Sequence, residues 1–174
     1  MKKILIIIDC QNDFVTGSLG NEAAEQIIPS IVSLIKDFNG EIVFTRDTHD
    51  TNYLNTTEGR HLPVEHCIKG TIGHQIHRDL LGWKDAEIID KHTFGSKDLI
   101  EHINKSIRGS YPSCELHIVG LCTDICVVSN ALMIKSVFPE AKIIAHKNCC
   151  AGVDKAGHDA AMLVMERCHI NIEE

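Results

Sequence analysis

Short apolar runs recur along the chain and alternate with longer amphipathic segments. The first run, residues 4–8, contains only isoleucine and leucine, which is typical of a strand buried on both faces of a sheet. Similar runs predict further strands at residues 41–45, 86–90, 115–120, 141–145 and 169–172. The pattern therefore predicts six strands.

Amphipathic helices are predicted between these runs. Residues 23–38 place their apolar side chains on one stripe with a 3.6-residue period, and Gly40 follows as a stop. Comparable patterns predict helices at residues 96–107, 123–137 and 154–168. Ser96 and Asp154 are candidate N-caps. This alternation of strand and helix predicts an α/β fold of three layers, α/β/α, with a mostly parallel six-stranded, Rossmann-like sheet.

Size and composition fit one ordinary domain. The chain has 174 residues, of which 44% are hydrophobic, and a domain of this length buries about 70% of its unfolded surface. We therefore expect a single domain spanning residues 1–174. The 24 acidic and 17 basic side chains give a formal charge of −7, and only 5 Phe, 2 Tyr and 1 Trp are present. This acidic, aromatic-poor composition argues against nucleic acid as a partner.

The chain also carries 8 cysteines and 11 histidines. Eight cysteines suit a disulfide framework in a short secreted protein, but a chain with this apolar content does not need one. The start, Lys2 and Lys3 followed by an apolar run, resembles a signal peptide, yet Asp9 ends the run early. We therefore expect no membrane segment, a cytoplasmic location and free thiols.

Charged, histidine and cysteine residues are concentrated just after four of the predicted strands. In a parallel α/β sheet, ligands bind in the crevice beyond the carboxyl ends of the strands. The connection after the second strand lacks periodicity as far as Gly73 and has the length of a functional loop. The candidate residues are, in chain order, Asp9, Asp47, His49, Lys91, Cys122 and Cys126.

Cys126 is the candidate nucleophile. It lies near the start of a predicted helix, where the helix dipole and free backbone amides lower a thiol pKa, and Lys91 would stabilise the thiolate further. Asp9 supplies a carboxylate that can move a proton to and from the sulfur. The alternative is that Cys126 is a small core residue on an amphipathic helix. Only its convergence with Lys91 and Asp9 at one crevice favours a catalytic role for Cys126.

Asp47 and His49 are the candidate metal ligands. They are two apart on extended chain, so their side chains point to the same side, and His66 on the long loop would be a third ligand. Three protein ligands with open positions are typical of a catalytic or substrate-binding metal. The alternative is a surface turn with an ion pair. We expect His74 and His77 to lie on a short helix and face solvent.

Five motifs in order resemble those of a known family. They are Asp9-x-Gln11-x-Asp13-Phe14, Asp47-x-His49, Pro63-x-x-His66-Cys67-x-x-Gly70-Thr71, Lys91-x-x-x-Gly95-Ser96 and Gly120-x-x-Thr123-Asp124-x-Cys126-Val127. Together they resemble the isochorismatase-like cysteine hydrolases, and within them the nicotinamidase branch. Each motif alone is weak, but five in order at predicted strand ends are specific. The resemblance implies hydrolysis of nicotinamide to nicotinate and ammonia.

The resemblance also implies a role for each candidate catalytic residue. Cys126 would attack the amide carbonyl and form a thioester, Asp9 would shuttle protons, and Lys91 would hold both in their ionised forms. A cis peptide bond between Leu121 and Cys122 would aim the Cys122 amide, with that of Cys126, at the developing oxyanion.

In the same branch, Asp47, His49 and His66 would bind one divalent metal ion. Zinc is the first expectation, with iron and manganese as alternatives, and the ion would bind the pyridine nitrogen of the substrate. Glu58 is the nearest candidate for a fourth protein ligand; water molecules are the alternative.

Three side chains would shape the substrate pocket. By resemblance, Phe14 would pack against the substrate ring and Leu121 would form another wall. Tyr53 would supply an aromatic ring from the long loop.

Three functions remain open from the sequence. The first is a metal-dependent nicotinamidase, which the complete set of Asp47, His49 and His66 favours. The second is a related cysteine amidohydrolase acting on another small amide, a ureide or a carbamoyl compound. The third is a non-catalytic metal-binding or protein-interaction domain on the same fold. Relatives commonly form dimers or tetramers, so we expect this protein to form a homo-oligomer. We expect its binding partner to be a small-molecule amide, its substrate.

Overall fold

Six parallel strands form one sheet in the computed structural model, which describes residues 1–83 and 86–174. The strands are β1 (Lys2–Ile8), β2 (Glu41–Asp47), β3 (Glu87–Lys91), β4 (Cys114–Leu121), β5 (Lys142–Ala151) and β6 (Asn171–Glu173). Their order across the sheet is β3-β2-β1-β4-β5-β6, and every pair is parallel. The chain thus winds outward in both directions from the β1–β4 pair, as in doubly wound folds. The predicted α/β fold is confirmed.

Helices cover both faces of this sheet. They are α1 (Asn12–Val15), α2 (Glu22–Asp37), α3 (Thr57–His61), α4 (Lys97–Ser106), α5 (Val128–Val137) and α6 (Lys155–Arg167). Within the described ranges, no helix combines the length and the apolar character that crossing a membrane requires. Ser96 and Asp154 cap α4 and α6 through their side chains, as predicted.

Strand β1 is buried on both sides, as its unbroken apolar run predicts. Ile4, Ile6 and Ile8 pack in the cluster beneath α4, α5 and α6, whereas Leu5 and Ile7 pack in the cluster beneath α2. None of the five side chains is accessible to solvent. This two-sided burial fixes the register of β1, because a slip of one residue would exchange the two clusters.

Gly120 allows the carboxyl end of β4 to lie directly against the Ile8 backbone of β1. Its φ is +120°, a backbone conformation that L side chains rarely adopt, and a Cβ there would collide with the Ile8 carbonyl oxygen. The residues that follow these strands, Asp9 and Cys122, are therefore brought to the same crevice.

A buried carboxylate links three central strands near their amino ends. Glu115 on β4 lies 2.9 Å from Lys3 Nζ on β1 and 3.0 Å from Lys142 Nζ on β5. The two ammonium groups hold the pKa of the Glu115 carboxyl down at about 2, although partial burial acts in the opposite direction. These ion pairs connect the neighbouring strands β1, β4 and β5 to one another at their amino ends.

The long connection between β2 and β3 folds back over the crevice. It contains α3 and two short 3₁₀ turns, Tyr53–Asn55 and Arg78–Leu80. The expectation for His74 and His77 is wrong: both are buried, and neither lies in a helix. His74 Nε2 lies 2.8 Å from Thr48 Oγ1, so this imidazole stabilises the connection from inside.

Candidate active site

A cavity of about 660 Å³ opens at the carboxyl ends of the central strands, within the size range of ligand pockets. It lies where the winding direction changes between β1 and β4, which is where sheets of this type bind ligands. Its wall is mostly apolar, with a small number of polar groups. The lining residues include Phe14, Asp47, Glu58, His66, Cys122 and Cys126.

Lys91 is the centre of a buried cluster that joins three strand ends. Its Nζ lies 2.7 Å from Asp9 Oδ2, 3.4 Å from Cys126 Sγ and 3.3 Å from Asp47 Oδ1. It also donates a hydrogen bond to the Thr93 carbonyl oxygen at 3.2 Å. Burial alone would lower the pKa of Lys91, but the facing Asp9, Cys126 and Asp47 raise it, so the ammonium stays charged.

Asp9 is fixed through its backbone and its side chain. Its φ is +47°, a left-handed conformation that is uncommon outside glycine and is enriched at functional sites. Asp9 N donates to Thr45 Oγ1 at 3.2 Å, and Thr45 Oγ1 donates to Asp9 Oδ1 at 2.7 Å. Oδ2 faces Lys91 but, among the described residues, has no partner with hydrogen-bond geometry. It is therefore the oxygen available to take a proton.

Burial raises the pKa of the Cys126 thiol well above its ordinary value, and the Asp9 carboxylate raises it further against the opposing effect of Lys91. The expectation of a lowered thiol pKa is therefore wrong for this site. The Lys91 ammonium also faces two carboxylates, those of Asp9 and Asp47. Their negative charges offset its stabilising effect on a thiolate at Cys126. A raised pKa disfavours the thiolate, so formation of the nucleophile calls for a base that takes the proton.

Asp9 has the properties of that base. Burial raises the pKa of its carboxyl group above the ordinary value, with Asp47 adding to the effect and Lys91 opposing it. A carboxylate with a raised pKa binds a proton more strongly than an exposed one, which suits proton transfer near neutral pH. The pair of Asp9 and Cys126 can thus exchange a proton beside a fixed positive charge.

The turn that carries Cys126 departs from a regular α-helix. β4 ends at Leu121, and the Leu121–Cys122 peptide bond is cis. Cys126 then lies in a π-helical turn, Thr123–Val127, in which the Val127 amide donates to the Cys122 carbonyl at 3.1 Å. Such turns are frequent at functional sites. The predicted helix at 123–137 is in fact this π-helical turn followed by α5.

Two polar contacts attach this turn to α6 and to the connection that precedes it. Thr123 Oγ1 lies 2.8 Å from His158 Nδ1, and Asp124 Oδ1 accepts a hydrogen bond from the Val153 amide at 3.0 Å. Thr123 is fully buried. The turn is thereby held by contacts that do not involve Lys91.

Four side chains next to this cluster form a group that can hold a metal ion. One ligand atom from each of Asp47, His49, Glu58 and His66 lies within 4.8 Å of the others. Asp47 Oδ2 is 2.9 Å from His49 Nε2, and Glu58 Oε1 is 3.7 Å from His66 Nε2. Ligands bound about 2.1 Å from a tetrahedral ion would be about 3.4 Å apart, so these separations match one ion.

The chemistry of the donors also fits a metal. His49 Nε2 is buried and, within the described chain, lacks a hydrogen-bond partner, since its close approach to Asp47 lacks hydrogen-bond geometry. His66 Nδ1 lies 2.8 Å from the Val64 carbonyl, which can only accept, so in the neutral ring Nε2 presents its lone pair to the group. Two imidazoles with two carboxylates are typical ligands for zinc and similar ions.

Gln11 holds the metal-binding group in register with the cysteine cluster. Its Oε1 accepts from the Asp47 amide at 2.7 Å, and its Nε2 donates to the Asp47 and His74 carbonyls at 2.8 and 2.9 Å. The Asp47 carboxylate in turn contacts both Lys91 and His49. Asp47 is therefore shared by the two parts of the site.

The pocket residues named from the sequence have different outcomes. Phe14 lines the cavity and lies against the His66 ring, and Glu58 joins the metal-binding group. Leu121 does not line the cavity, and its expected role as a pocket wall is wrong, because its side chain points into the cluster beneath α2. Tyr53 is also fully buried, and its ring contacts the His49 imidazole in a tilted arrangement, with centroids 4.6 Å apart, outside the cavity lining.

The sequence analysis did not identify the roles of Thr45 and Gln11. Both side chains are fully buried and hydrogen-bonded to the backbone or side chain of an acidic site residue. In the sequence, Thr45 is a hydroxyl residue at the end of a predicted strand, and Gln11 is an amide residue two positions after Asp9. Neither pattern identifies a partner without the fold.

The fold and the site define a class: a doubly wound α/β protein with a buried cysteine, lysine and aspartate beside four candidate metal ligands, all at the switch point of the sheet. The chain matches the isochorismatase domain over residues 3–172, and it belongs to this family. The family expected from the motifs is confirmed.

Several relatives carry more specific names. An isochorismatase family protein, PncA, of Bacillus subtilis is 34% identical, with 93% of each chain covered. The nicotinamidase of Saccharomyces cerevisiae is 27% identical, covering 75% of this chain and 80% of its own. The crystal structure of the Pyrococcus horikoshii pyrazinamidase in complex with zinc has a TM-score of 0.84 at 26% identity, with 100% and 99% of the two chains covered.

Proposed function

We propose that this protein hydrolyses nicotinamide to nicotinate and ammonia. The observation that carries the proposal is that one cavity is lined both by Cys126, which contacts Lys91, and by the Asp47, Glu58 and His66 members of the metal-binding group. A heteroaromatic amide has two features that match these parts: a carbonyl carbon for the sulfur and a ring nitrogen for a metal. Relatives named nicotinamidase or pyrazinamidase, at 26 to 27% identity, support the same substrate class.

The first half of the reaction forms a thioester. Asp9 Oδ2 takes the proton from Cys126 Sγ, and the sulfur attacks the amide carbon to form a C–S bond and a tetrahedral oxyanion. As the oxyanion collapses, the C–N bond breaks and Asp9 returns the proton to the leaving nitrogen. Ammonia departs, and Lys91 keeps the negative charge near the sulfur and Asp9 balanced throughout.

The second half releases the acid. Asp9, again a carboxylate, takes a proton from water as the water oxygen attacks the thioester carbon. The C–S bond then breaks, and the sulfur regains a proton from Asp9. The products are a carboxylic acid, which ionises, and the regenerated thiol.

Backbone amides are proposed to stabilise the oxyanion in both halves. The family resemblance assigns this role to the amides of Cys122, directly before the π-helical turn, and Cys126, within it; both residues line the cavity. Loss of one such donor typically costs about 3 kcal/mol of transition-state stabilisation.

A divalent metal, zinc by preference, is proposed to be held by Asp47, His49, His66 and Glu58. Bound there, it would supply a Lewis acid for the ring nitrogen of the substrate, and this would orient the amide toward the sulfur. The aromatic face of Phe14 is on the cavity wall beside His66 and would pack against the ring. All eight cysteines are free thiols, which supports a reducing, cytoplasmic compartment as the proposed location.

The test is ammonia release from nicotinamide and pyrazinamide by the purified, metal-loaded protein. We expect turnover of both amides, and its abolition in Cys126→Ala. Cys168→Ala is the matched control, because Cys168 is an exposed cysteine outside the cavity lining. Absence of ammonia release from both amides would overturn the proposal, and release from a ureide or carbamoyl compound instead would move the activity to a related cysteine amidohydrolase.

A further inference from the structure

Asn130 is a fully buried polar residue on α5 that no step of the proposed reaction uses. Its Oδ1 accepts a hydrogen bond from the Ser96 amide at 2.9 Å. Its Nδ2 donates to the Phe94 carbonyl at 2.9 Å and to the Cys126 carbonyl at 2.8 Å. One side-chain amide thus joins the turn that carries the nucleophile to the residues between β3 and α4.

Those residues, 92–96, are called the β3–α4 segment below. The segment contributes Thr93 and Phe94 to the cavity wall. The Thr93 carbonyl accepts a hydrogen bond from Lys91 Nζ, so the segment also helps to hold the ammonium. It lies directly on α5, since a Cβ at Gly95 would collide with the Met133 sulfur.

We propose that Asn130 is a positioning residue that sets the distance between Cys126 and both the Lys91 ammonium and the Phe94 wall. The proposal rests on the amidase activity proposed above and deepens it. The three partners of Asn130 come from two separate segments, and the described structure connects these segments to each other through this side chain at three backbone atoms. Loss of the two N–H donors frees the β3–α4 segment to move relative to the sulfur.

The test compares Asn130→Asp and Asn130→Thr with a control on the same helix. Asn130→Asp keeps an acceptor for Ser96 but loses both N–H donors, and Asn130→Thr removes the amide without adding charge. Ile134→Ala is the control, because Ile134 is fully buried one turn further along α5 and packs in the core beneath the sheet. Measurements are kcat and KM for ammonia release, the melting temperature, and the pH midpoint of iodoacetamide labelling at Cys126.

Both Asn130 variants are expected to lower kcat/KM roughly tenfold or more and to move the labelling midpoint to higher pH, because the sulfur loses its fixed ammonium neighbour. Ile134→Ala is expected to lower the melting temperature at least as much while keeping kcat, KM and the midpoint within about twofold of wild type. Wild-type kinetics and labelling in the Asn130 variants, with only the melting temperature lowered, would overturn the proposal.

Two further outcomes are decisive. A shift in Asn130→Asp but not in Asn130→Thr would assign the effect to the added charge and also overturn the proposal. If the wild-type protein releases ammonia from neither amide, the proposed function fails, but the labelling midpoint still tests the position of Cys126 relative to Lys91.

Discussion

Asp9 combines a left-handed backbone with a side chain whose two oxygens face different partners. Thr45 binds Oδ1, and Lys91 faces Oδ2. This division separates the oxygen that holds the carboxylate in place from the oxygen that is proposed to exchange protons. The Thr45 hydroxyl also lowers the pKa of Asp9, against the effect of burial.

Thr45→Val should therefore change the pH dependence of the reaction. In the proposed mechanism, activity on the acid side requires the Asp9 carboxylate, so it should be lost as the pH falls through the raised Asp9 pKa. Removal of the hydroxyl raises this pKa further, so the acid limb of kcat/KM should move to higher pH, with kcat near neutral pH reduced roughly tenfold. Thr45→Ser, which keeps the hydroxyl, should retain the wild-type profile. An unchanged acid limb in Thr45→Val would contradict the role given to this contact.

His49→Ala tests the metal-binding group at the same scale. Purified wild-type protein is expected to contain about one divalent ion per chain, and the variant close to none, as measured by elemental analysis. KM for nicotinamide should rise much more than the rate of iodoacetamide labelling at Cys126 changes, because the proposed ion would orient the substrate and not the sulfur. His61→Ala is the control, since His61 lines the cavity but lies outside the group. An equal metal content in both variants would remove the assignment of His49 as a ligand.

The sequence predicted which side chains lie close together where they stand at a strand end or in the turn that follows it. Asp9, Lys91 and Cys126 could be selected from the sequence because parallel strands deliver their ends to one crevice. Leu121 was misassigned because the backbone turns at the end of β4 and sends its side chain to the α2 face, one position before the cavity begins. The pKa of Cys126 was misjudged because its sign depends on burial and on two carboxylates that are distant in sequence.

At the scale of elements, β4 carries both the Glu115 ion pairs and the approach to the site. The low pKa of Glu115 means that its carboxylate stabilises the fold at pH values above the ordinary range of a glutamate. This stabilisation is lost as the pH falls through about 2, the value in the folded protein.

Glu115→Gln should therefore destabilise the protein only above acidic pH. Both lysines are partly exposed, and solvent screening limits the loss to about 1 kcal/mol at pH 7. Urea unfolding at pH 7 and at progressively lower pH should show the difference between variant and wild type shrinking toward zero. A difference that does not depend on pH would indicate a packing effect instead of the ion pairs.

The strands and major helices follow from the hydrophobic pattern, but their extents do not. β5 was predicted to end near residue 145, whereas it continues to Ala151 beyond a register shift against β4. Residues 146–148 are polar and break the apolar run, so the extension of the strand depends on pairing of His146 with β6 and of Cys150 and Ala151 with β4. The π-helical turn before α5 was likewise not predicted from the sequence, because apolar periodicity does not distinguish a π-helical turn from an α-helix.

At the scale of the whole molecule, the site is closed by contacts between distant parts of the chain. Asp13, after β1, accepts a hydrogen bond from the Cys67 amide at 2.8 Å, and His49 N donates to the Cys67 carbonyl at 3.0 Å. These contacts bring His66 to His49 and fold the long connection over the crevice. A metal bound to the group would therefore tie this connection to β2.

Metal removal should consequently lower the stability of the entire domain. At a free metal concentration 100 times the dissociation constant, binding adds about 2.7 kcal/mol, which corresponds to roughly 5 to 10 °C in melting temperature for a domain of this size. Chelation should lower the melting temperature of the wild-type protein by this amount and leave that of His49→Ala nearly unchanged. Equal responses of the two proteins to the chelator would show that the stabilising ion binds elsewhere.

The contact between Gly120 and the Ile8 carbonyl has a consequence for protein engineering. The width of the crevice between Asp9 and Cys122 is determined by one backbone resting on another, with no side chain in between. Redesign of the core beneath either face can therefore alter stability without changing that width. Conversely, a library aimed at larger substrates would gain nothing by varying Gly120, and the room must come from the side chains of the cavity rim.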